Sequence, residues 1–451
     1  MPTMLKTKLN SLPKISGENY LSPEFLRGEK EHLWPKVWQV ACREEEIPKV
    51  GDYVTYDVAD ETIVVLRARN GIRAFHNVCP HRGRKIADGC GHAPALRCRY
   101  HGWTFDLEGR NTVVQDRQDW KGALDDERLD LFPVRTGTWA GFVWINMDSV
   151  GETLEEYLET LPEFLDPYEL EQMRYRWYLE LHLPCNWKVA LEAFMEGYHV
   201  AGTHPQLLPV QGEDYTQSYA HGKHSHFGYW EPSPGAGPRA MGGPSPRLKD
   251  QVPRDLRPGV VEFFRQMEED FGAIFTDRDF EASKRVLKEV PENVEPFVPF
   301  GAAVEFGREA ANADGAGYPP KLDYAHMMKA GTDWHIFPNC VTLPWFDGAV
   351  WYRARPNGND PDSCIFNIWS LKRFGPGKEP KLERRVIKNI EGLSFGLIVD
   401  QDIANMNAVQ QGMKSRAFRY ARPNPVQEVE LTNFHQTLER YVLGQTRPDI
   451  G

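Results

Sequence analysis

The sequence predicts an α+β fold in two unequal parts. A small antiparallel β domain comes first. A larger domain follows, in which an antiparallel sheet is covered by helices. The chain's 451 residues allow two or three domains and a large core. Between residues 34 and 150 short β-branched and aromatic runs (53–58, 62–67, 72–76, 141–145) are separated by turn pieces such as Arg69-Asn70-Gly71 and Glu108-Gly109-Arg110. After Gly151 the rhythm changes: helical periods at 153–165 and 186–199 interleave with strand-like alternation at 175–183 and 350–369.

Taken in order, residues 1–33 are polar, contain Pro13 and Pro23, and read as an arm packing on the larger domain. Residues 34–150 form the β domain. Residues 151–451 form the larger one, with a Gly/Pro-rich loop at 232–246 and a helical insertion at about 250–310, charged over 254–290. Residues 382–413 read as one long helical stretch, whole or broken.

A formal charge of -11 argues against nucleic acid as a partner. No apolar run reaches membrane-spanning length, and residues 1–18 lack the apolar stretch of a secretory signal, so a cytoplasmic location is expected. Of seven cysteines, Cys42, Cys90, Cys185, Cys340 and Cys364 have no paired spacing and read as reduced, buried thiols.

The other two, Cys79 and Cys98, carry chemistry. They stand in Cys79-Pro-His81 and Cys98-Arg-Tyr-His101, with sixteen residues between His81 and Cys98. Structural zinc also takes Cys₂His₂, but zinc fingers group a Cys pair and then a His pair. Here each half supplies one of each. That suits a [2Fe–2S] cluster of Rieske type, in which thiolates hold one iron and imidazoles the other. Gly83, Gly89, Gly91 and Gly102 would let backbone amides approach the sulfurs.

A second site is written in residues 186–204. Trp187, Leu191, Phe194, Met195 and Tyr198 recur at helical spacing and form a core stripe. Glu192, Glu196 and His199 lie at i, i+4 and i+7 on another face. His204 precedes Pro205, which loosens the helix and lets that imidazole turn back. Two histidines and a carboxylate make the facial triad of non-haem iron(II). Downstream, Asp400-Gln401-Asp402 offers two carboxylates for the third place. His221, His224 and His226 are the competing cluster, and the alternation of the last two suits an ordinary strand face.

By these motifs the chain resembles the catalytic α subunit of Rieske non-haem iron oxygenases, the ring-hydroxylating dioxygenase superfamily. The likeness rests on the two cluster loops, on Asn186-Trp187-Lys188 through His199-x4-His204, and on the acidic pair before Asn405-Met406 with Gln410 and Gln411 beyond. It implies a helix-grip-like catalytic domain, one [2Fe–2S] cluster and one Fe(II) per subunit. It further implies His199, His204 and Asp402 as iron ligands, and Glu196 as a bridge to the cluster of a neighbouring subunit. Asn186 would lie near the iron, with helix capping as its other reading. Many ring dihydroxylases have Asp where Glu196 stands, and Glu occurs in monooxygenases and demethylases.

The expected function is that of a terminal oxygenase hydroxylating an aromatic or other largely apolar substrate, as in aromatic hydrocarbon catabolism. Oxidative N- or O-demethylation is the alternative, and an electron carrier without active iron the remote one. No nucleotide-binding glycine motif follows a strand, so NAD(P)H would act only through a partner ferredoxin or flavin-dependent reductase. By resemblance the assembly is a homotrimer, with or without a small β subunit. Phe227, Trp345, Phe346 and Trp351 are the candidates for lining a substrate pocket.

Overall fold

The computed structural model describes residues 12–208, 216–229, 254–295 and 298–444; the Gly/Pro-rich stretch at 232–246 lies outside them. The β domain is a seven-stranded antiparallel sheet. Its order is Gln39–Arg43, Phe142–Asn146, Pro133–Trp139, Gly71–His76, Glu61–Ala68, Asp52–Val58 and Cys90–His92. The strand Glu61–Ala68 explains how the sheet divides space. Ile63 and Val65 face the main core, while Val64, Leu66 and Ala68 face a second, smaller core. That smaller core, with Phe75, Trp103 and Phe105, underlies the two cluster loops.

The larger domain is built on an eight-stranded sheet. Its order is Thr216–His221, His224–Tyr229, Asp333–Ile336, Cys340–Pro344, Gly348–Asn357, Asp360–Lys372, Arg174–Leu183 and Arg384–Ile387. The pairing is antiparallel except between the last two strands. Four helices matter for the site: α1 (Trp187–Glu192), α2 (Val200–Thr203), α3 (Leu397–Met413) and α4 (Val429–Leu443). Helix α1 packs over Gly348–Asn357 and Asp360–Lys372, and α4 over Thr216–His221 and His224–Tyr229.

Several elements depart from the sequence reading. The run 350–369 is a hairpin of two strands, turned at Gly358-Asn359, where Gly358 adopts φ +63°. The run 153–165 is split into Leu154–Leu158 and Leu161–Leu165 at Glu159-Thr160, Glu159 adopting φ +50° and Pro162 standing in the first turn of the second helix. The 382–413 stretch is strand Arg384–Ile387 and then α3, separated by Gly392 and Gly396. Gly396 must be glycine, since a Cβ there would lie 2.3 Å from the Asp270 carbonyl oxygen. Cys42, Cys185, Cys340 and Cys364 are buried, but Cys90 is exposed because its strand is the sheet's edge. Among the described residues, no helix is long and apolar enough to cross a membrane.

One core runs through both sheets. Phe142 of the first stacks on Trp351 and Trp369 of the second. Beside them Arg353 is fully enclosed. It donates to the Val40 and Ala41 carbonyls (2.7 and 3.0 Å) and to Asn367 Oδ1, and it lies against Tyr56 and Trp369. A buried guanidinium is tolerated only when its donors are matched in this way.

The three histidines His224, His226 and His335 sit inside the larger domain. His224 Nε2–H donates to the Tyr157 carbonyl (2.8 Å), and its Nδ1 accepts from Phe337 N–H (3.1 Å), which fixes it neutral. Burial pushes all three down to about 3 from an ordinary 6.5. The unfolded chain takes up their protons below 6.5 and the folded one does not until near 3. Stability therefore falls as pH drops through that window, by up to about 1.4 kcal/mol per pH unit for each ring. The expected outcome is that His335→Phe flattens the dependence of the urea midpoint on pH between 6.5 and 4. An unchanged slope would assign the acid sensitivity to other groups.

Candidate active site

The two cluster loops are built alike. Cys79 N–H donates to the Arg84 carbonyl and Gly83 N–H to the Cys79 carbonyl, both at 2.9 Å. Five and four residues along from the second cysteine the same pair recurs: Cys98 N–H to Trp103 (2.8 Å) and Gly102 N–H to Cys98 (3.0 Å). Both glycines adopt φ +72°, a conformation other residues resist. The cysteine thiols are buried and adjacent, while His81 and His101 are half-buried at the loop tips with ring centroids 4.6 Å apart. His81 stacks on Trp103, and His101 on Tyr100. His101 Nδ1 is buried without a hydrogen-bond partner, as suits a nitrogen reserved for a metal. This donor set, sulfur beneath and nitrogen outside, fits a Rieske cluster.

The second site draws on segments about two hundred residues apart. Helix α1 stops at Glu192, short of the expected 186–199 helix. There the backbone tightens, Phe194 N–H bonding to the Leu191 carbonyl (3.0 Å) and Met195 N–H to that of Glu192 (3.1 Å); farther on, Glu196 Oε2 accepts His199 N–H (2.9 Å), a donor that a continuing helix would give to the Met195 carbonyl. Gly197 then passes against Thr216, where a Cβ would meet the side chain at 2.9 Å. After the single turn of α2, His204 breaks out before Pro205.

These turns bring His199, His204 and Asp402 together, one ligand atom of each within 4.8 Å of the others. His204 Nε2 lies 2.9 Å from Asp402 Oδ1, and His199 Nε2 lies 3.8 Å from it. The outer nitrogens are both engaged. His199 Nδ1–H donates to Glu196 Oε1 (2.8 Å) and His204 Nδ1–H to Gln401 Oε1 (2.8 Å). In each neutral ring that leaves Nε2 as the lone-pair donor, turned inward. Burial alone would lower the His199 pKa, but the Glu196 hydrogen bond and charge hold it above the ordinary value. Two imidazoles and one carboxylate, each steered from behind, fit non-haem iron(II).

Other candidates find different places. Asp400 caps the start of α3, accepting from Phe395 N–H (2.8 Å) and the Ser394 hydroxyl. Asn186 is not brought to the triad: it caps α1 through Lys188 N–H and donates to the Tyr20 and Pro361 carbonyls. Its side chain is fully engaged in tying the helix start, which is why capping wins over proximity to metal. Glu192 accepts from Tyr20 and His435 in a buried network with the N-terminal arm. His221, His224 and His226 lie in the sheet, where the first and last stack on each other and on Trp334.

An apolar cavity adjoins the triad, and His199, His204, Asp402 and Glu196 are in its wall. Of the four expected aromatic residues, Phe227 and Trp345 line it. Phe346 and Trp351 do not; Trp351 is committed to the stack on Phe142. Phe194, Phe271, Phe275, Tyr352 and Asp333 line it and were missed. Asp333 left a signal, a lone carboxylate in the apolar strand Asp333–Ile336, where aspartate is disfavoured.

The model for "Ring hydroxylating alpha subunit (catalytic domain)" matches residues 170–444, and that for the Rieske [2Fe-2S] domain matches 37–121. The carnitine monooxygenase oxygenase subunit of Acinetobacter pittii (strain PHEA-2) is 34% identical over 201 residues, which are 43% of this chain and 53% of that one. The chain thus spans about half the length of the curated relatives it matches. In three dimensions it resembles the quaternary ammonium Rieske monooxygenase CntA in complex with L-carnitine (TM-score 0.62, 18% identity, covering 95% and 96% of the chains). It equally resembles naphthalene 1,2-dioxygenase with indole bound (TM-score 0.63, 18% identity, 96% and 93%).

Gln401 yields a test. Its carbonyl oxygen accepts from both His204 and Gln206, so Gln401→Leu removes the support that orients His204. Affinity for the mononuclear iron should fall by about ten- to a hundredfold, with the cluster's visible spectrum unchanged. Equal iron retention under a chelator titration would make Gln401 a packing residue only.

Proposed function

The chain belongs to the ring-hydroxylating alpha-subunit family of Rieske oxygenases, with a [2Fe–2S] cluster and a mononuclear iron as cofactors, and from that premise we propose that it is the terminal component of a multiprotein monooxygenase. The observation that carries the reading is the His199, His204 and Asp402 triad set in the wall of an apolar cavity. Cys79, His81, Cys98 and His101 would hold the cluster, and the triad the iron. When bound, these groups supply electron transfer and oxygen chemistry. The protein's own part is positional. Glu196 and Gln401 hold the two imidazoles by their Nδ1 atoms and aim Nε2 inward. The cavity's aromatic wall excludes water and receives the organic substrate.

Two features support monooxygenation, with oxidative N-demethylation as its form. One is the similarity to a carnitine monooxygenase oxygenase subunit. The other is Glu196, at a position where many ring dihydroxylases carry Asp. Hydroxylation of an arene is the second reading, favoured by the aromatic lining. Electrons arrive from a ferredoxin or reductase at the half-exposed histidine side of the cluster. The subunits assemble as a head-to-tail trimer, in which the Glu196 carboxylate, with lone pairs to spare, also meets a neighbour's cluster histidine.

Two variants test the scheme. His199→Ala should lose one iron per chain and all substrate oxidation while keeping two irons and two acid-labile sulfides; oxidation at the parent rate removes His199 from the site. Glu196→Gln should keep both metals and normal reduction by the partner. Reoxidation of the reduced cluster by substrate and O₂, followed in a single turnover by stopped flow, should slow by roughly a hundredfold. Unchanged reoxidation would confine Glu196 to steering His199.

A further inference from the structure

We propose that the cavity binds an organic cation, an alkylated ammonium group, and that Asp333 is its counter-ion. The inference rests on the reading above for the cavity's being the substrate site, and it adds what the substrate must carry.

Asp333 pairs directly with Phe227 across the sheet. Residues opposite one another in a ladder project from the same face. Phe227 lines the cavity, so the Asp333 side chain is directed to the same side. The residue is wholly buried, and neither carboxylate oxygen has a hydrogen-bond partner. Its electrostatic neighbours have the same sign: Glu196 in the cavity wall, and Glu430 from α4. Among the described residues that line the cavity there is no lysine or arginine.

A buried carboxylate without donors or a cation is costly, and a core position could be filled by an apolar residue. Left alone, the Asp333 carboxyl is pushed well above the usual carboxylate range by burial and by the Glu196 charge. A cation in the cavity removes that cost. The wall suits such a guest in a second way. Phe194, Phe227, Phe271, Phe275, Trp345 and Tyr352 surround the space, and aromatic faces attract cations through their quadrupoles. An ammonium bearing alkyl groups has few or no N–H donors. It needs diffuse negative charge and ring faces in place of a directed hydrogen bond, and this wall offers both.

The test compares two probes of one shape. Choline and 3,3-dimethylbutan-1-ol differ by nitrogen for carbon, hence by charge. The full-length protein, loaded with both metals, is titrated with each by calorimetry at constant ionic strength. Choline should bind at least about tenfold more tightly. Asp333→Asn should abolish the preference and Asp333→Glu should retain it, both variants keeping parental iron content and cluster absorbance. Equal or tighter binding of the alcohol, a preference that survives in Asp333→Asn, or no binding of either probe at millimolar concentration would overturn the proposal. Oxygenation of an uncharged substrate without cation preference would overturn it and leave the oxygenase reading standing. Cation preference in a chain that never retains the mononuclear iron would do the reverse.

Discussion

The architecture depends on a clamp of three hydrogen bonds between the segment from Asn186 to His204 and helix α3. Gln401 Oε1 takes His204 Nδ1–H, Asn405 Nδ2 donates to Thr203 Oγ1 (2.9 Å), and Gln410 Oε1 takes Asn186 N–H (2.9 Å). Residues 401 and 405 stand one turn apart on one side of α3, so the clamp sets that helix's rotation as well as its position. Asp402, between them, is thereby presented to histidines 198 and 203 positions earlier. A triad assembled from such distant pieces has no local geometry to rely on, and precision comes from bonds that grip the carrier elements.

The start of α1 is held a second time, from the arm. Glu29 of the N-terminal arm accepts from Trp187 Nε1 (2.9 Å) and from Lys188 Nζ (2.5 Å), with both charged groups fully buried. Removing either partner would strand a buried charge, so the arm, α1 and the sheet behave as one body. The β domain joins that body through Arg353 and the Phe142 stack. Its cluster loops, however, sit over the separate core on the far face of their own sheet. The sheet of the β domain therefore stands between the cluster loops and the shared core.

Much of this was legible in the sequence, and the reasons are specific. Cluster ligands could be read because cysteine and histidine at those spacings have few other uses. His199 and His204 could be read because proline after His204 forces the turn. Asp400 and Asp402 were left as a pair because only the start of α3, unknown until its glycines were placed, makes one a cap. The apolar stripe runs on past Glu192 although the backbone tightens there and Glu196 then takes the His199 N–H; periodicity carries no trace of either change, so it predicts too long an α1. Trp351 does not reach the pocket because strand register decides which aromatic faces which layer; Phe346, in the connection before that strand, stacks on Tyr318 instead. Register emerges from strand pairing, here set by the Gly358-Asn359 turn.

The paired turns at Gly83 and Gly102 carry one more consequence. Each closes on its own backbone through the same two hydrogen bonds, and each rests on a packed tryptophan or phenylalanine beneath. The ordering of both tips is thus met by the folding of the chain, and capture of iron and sulfide has little conformational entropy left to supply. The loops work as a prepared mould, which lets cofactor insertion follow folding as a separate, later event in the protein's assembly.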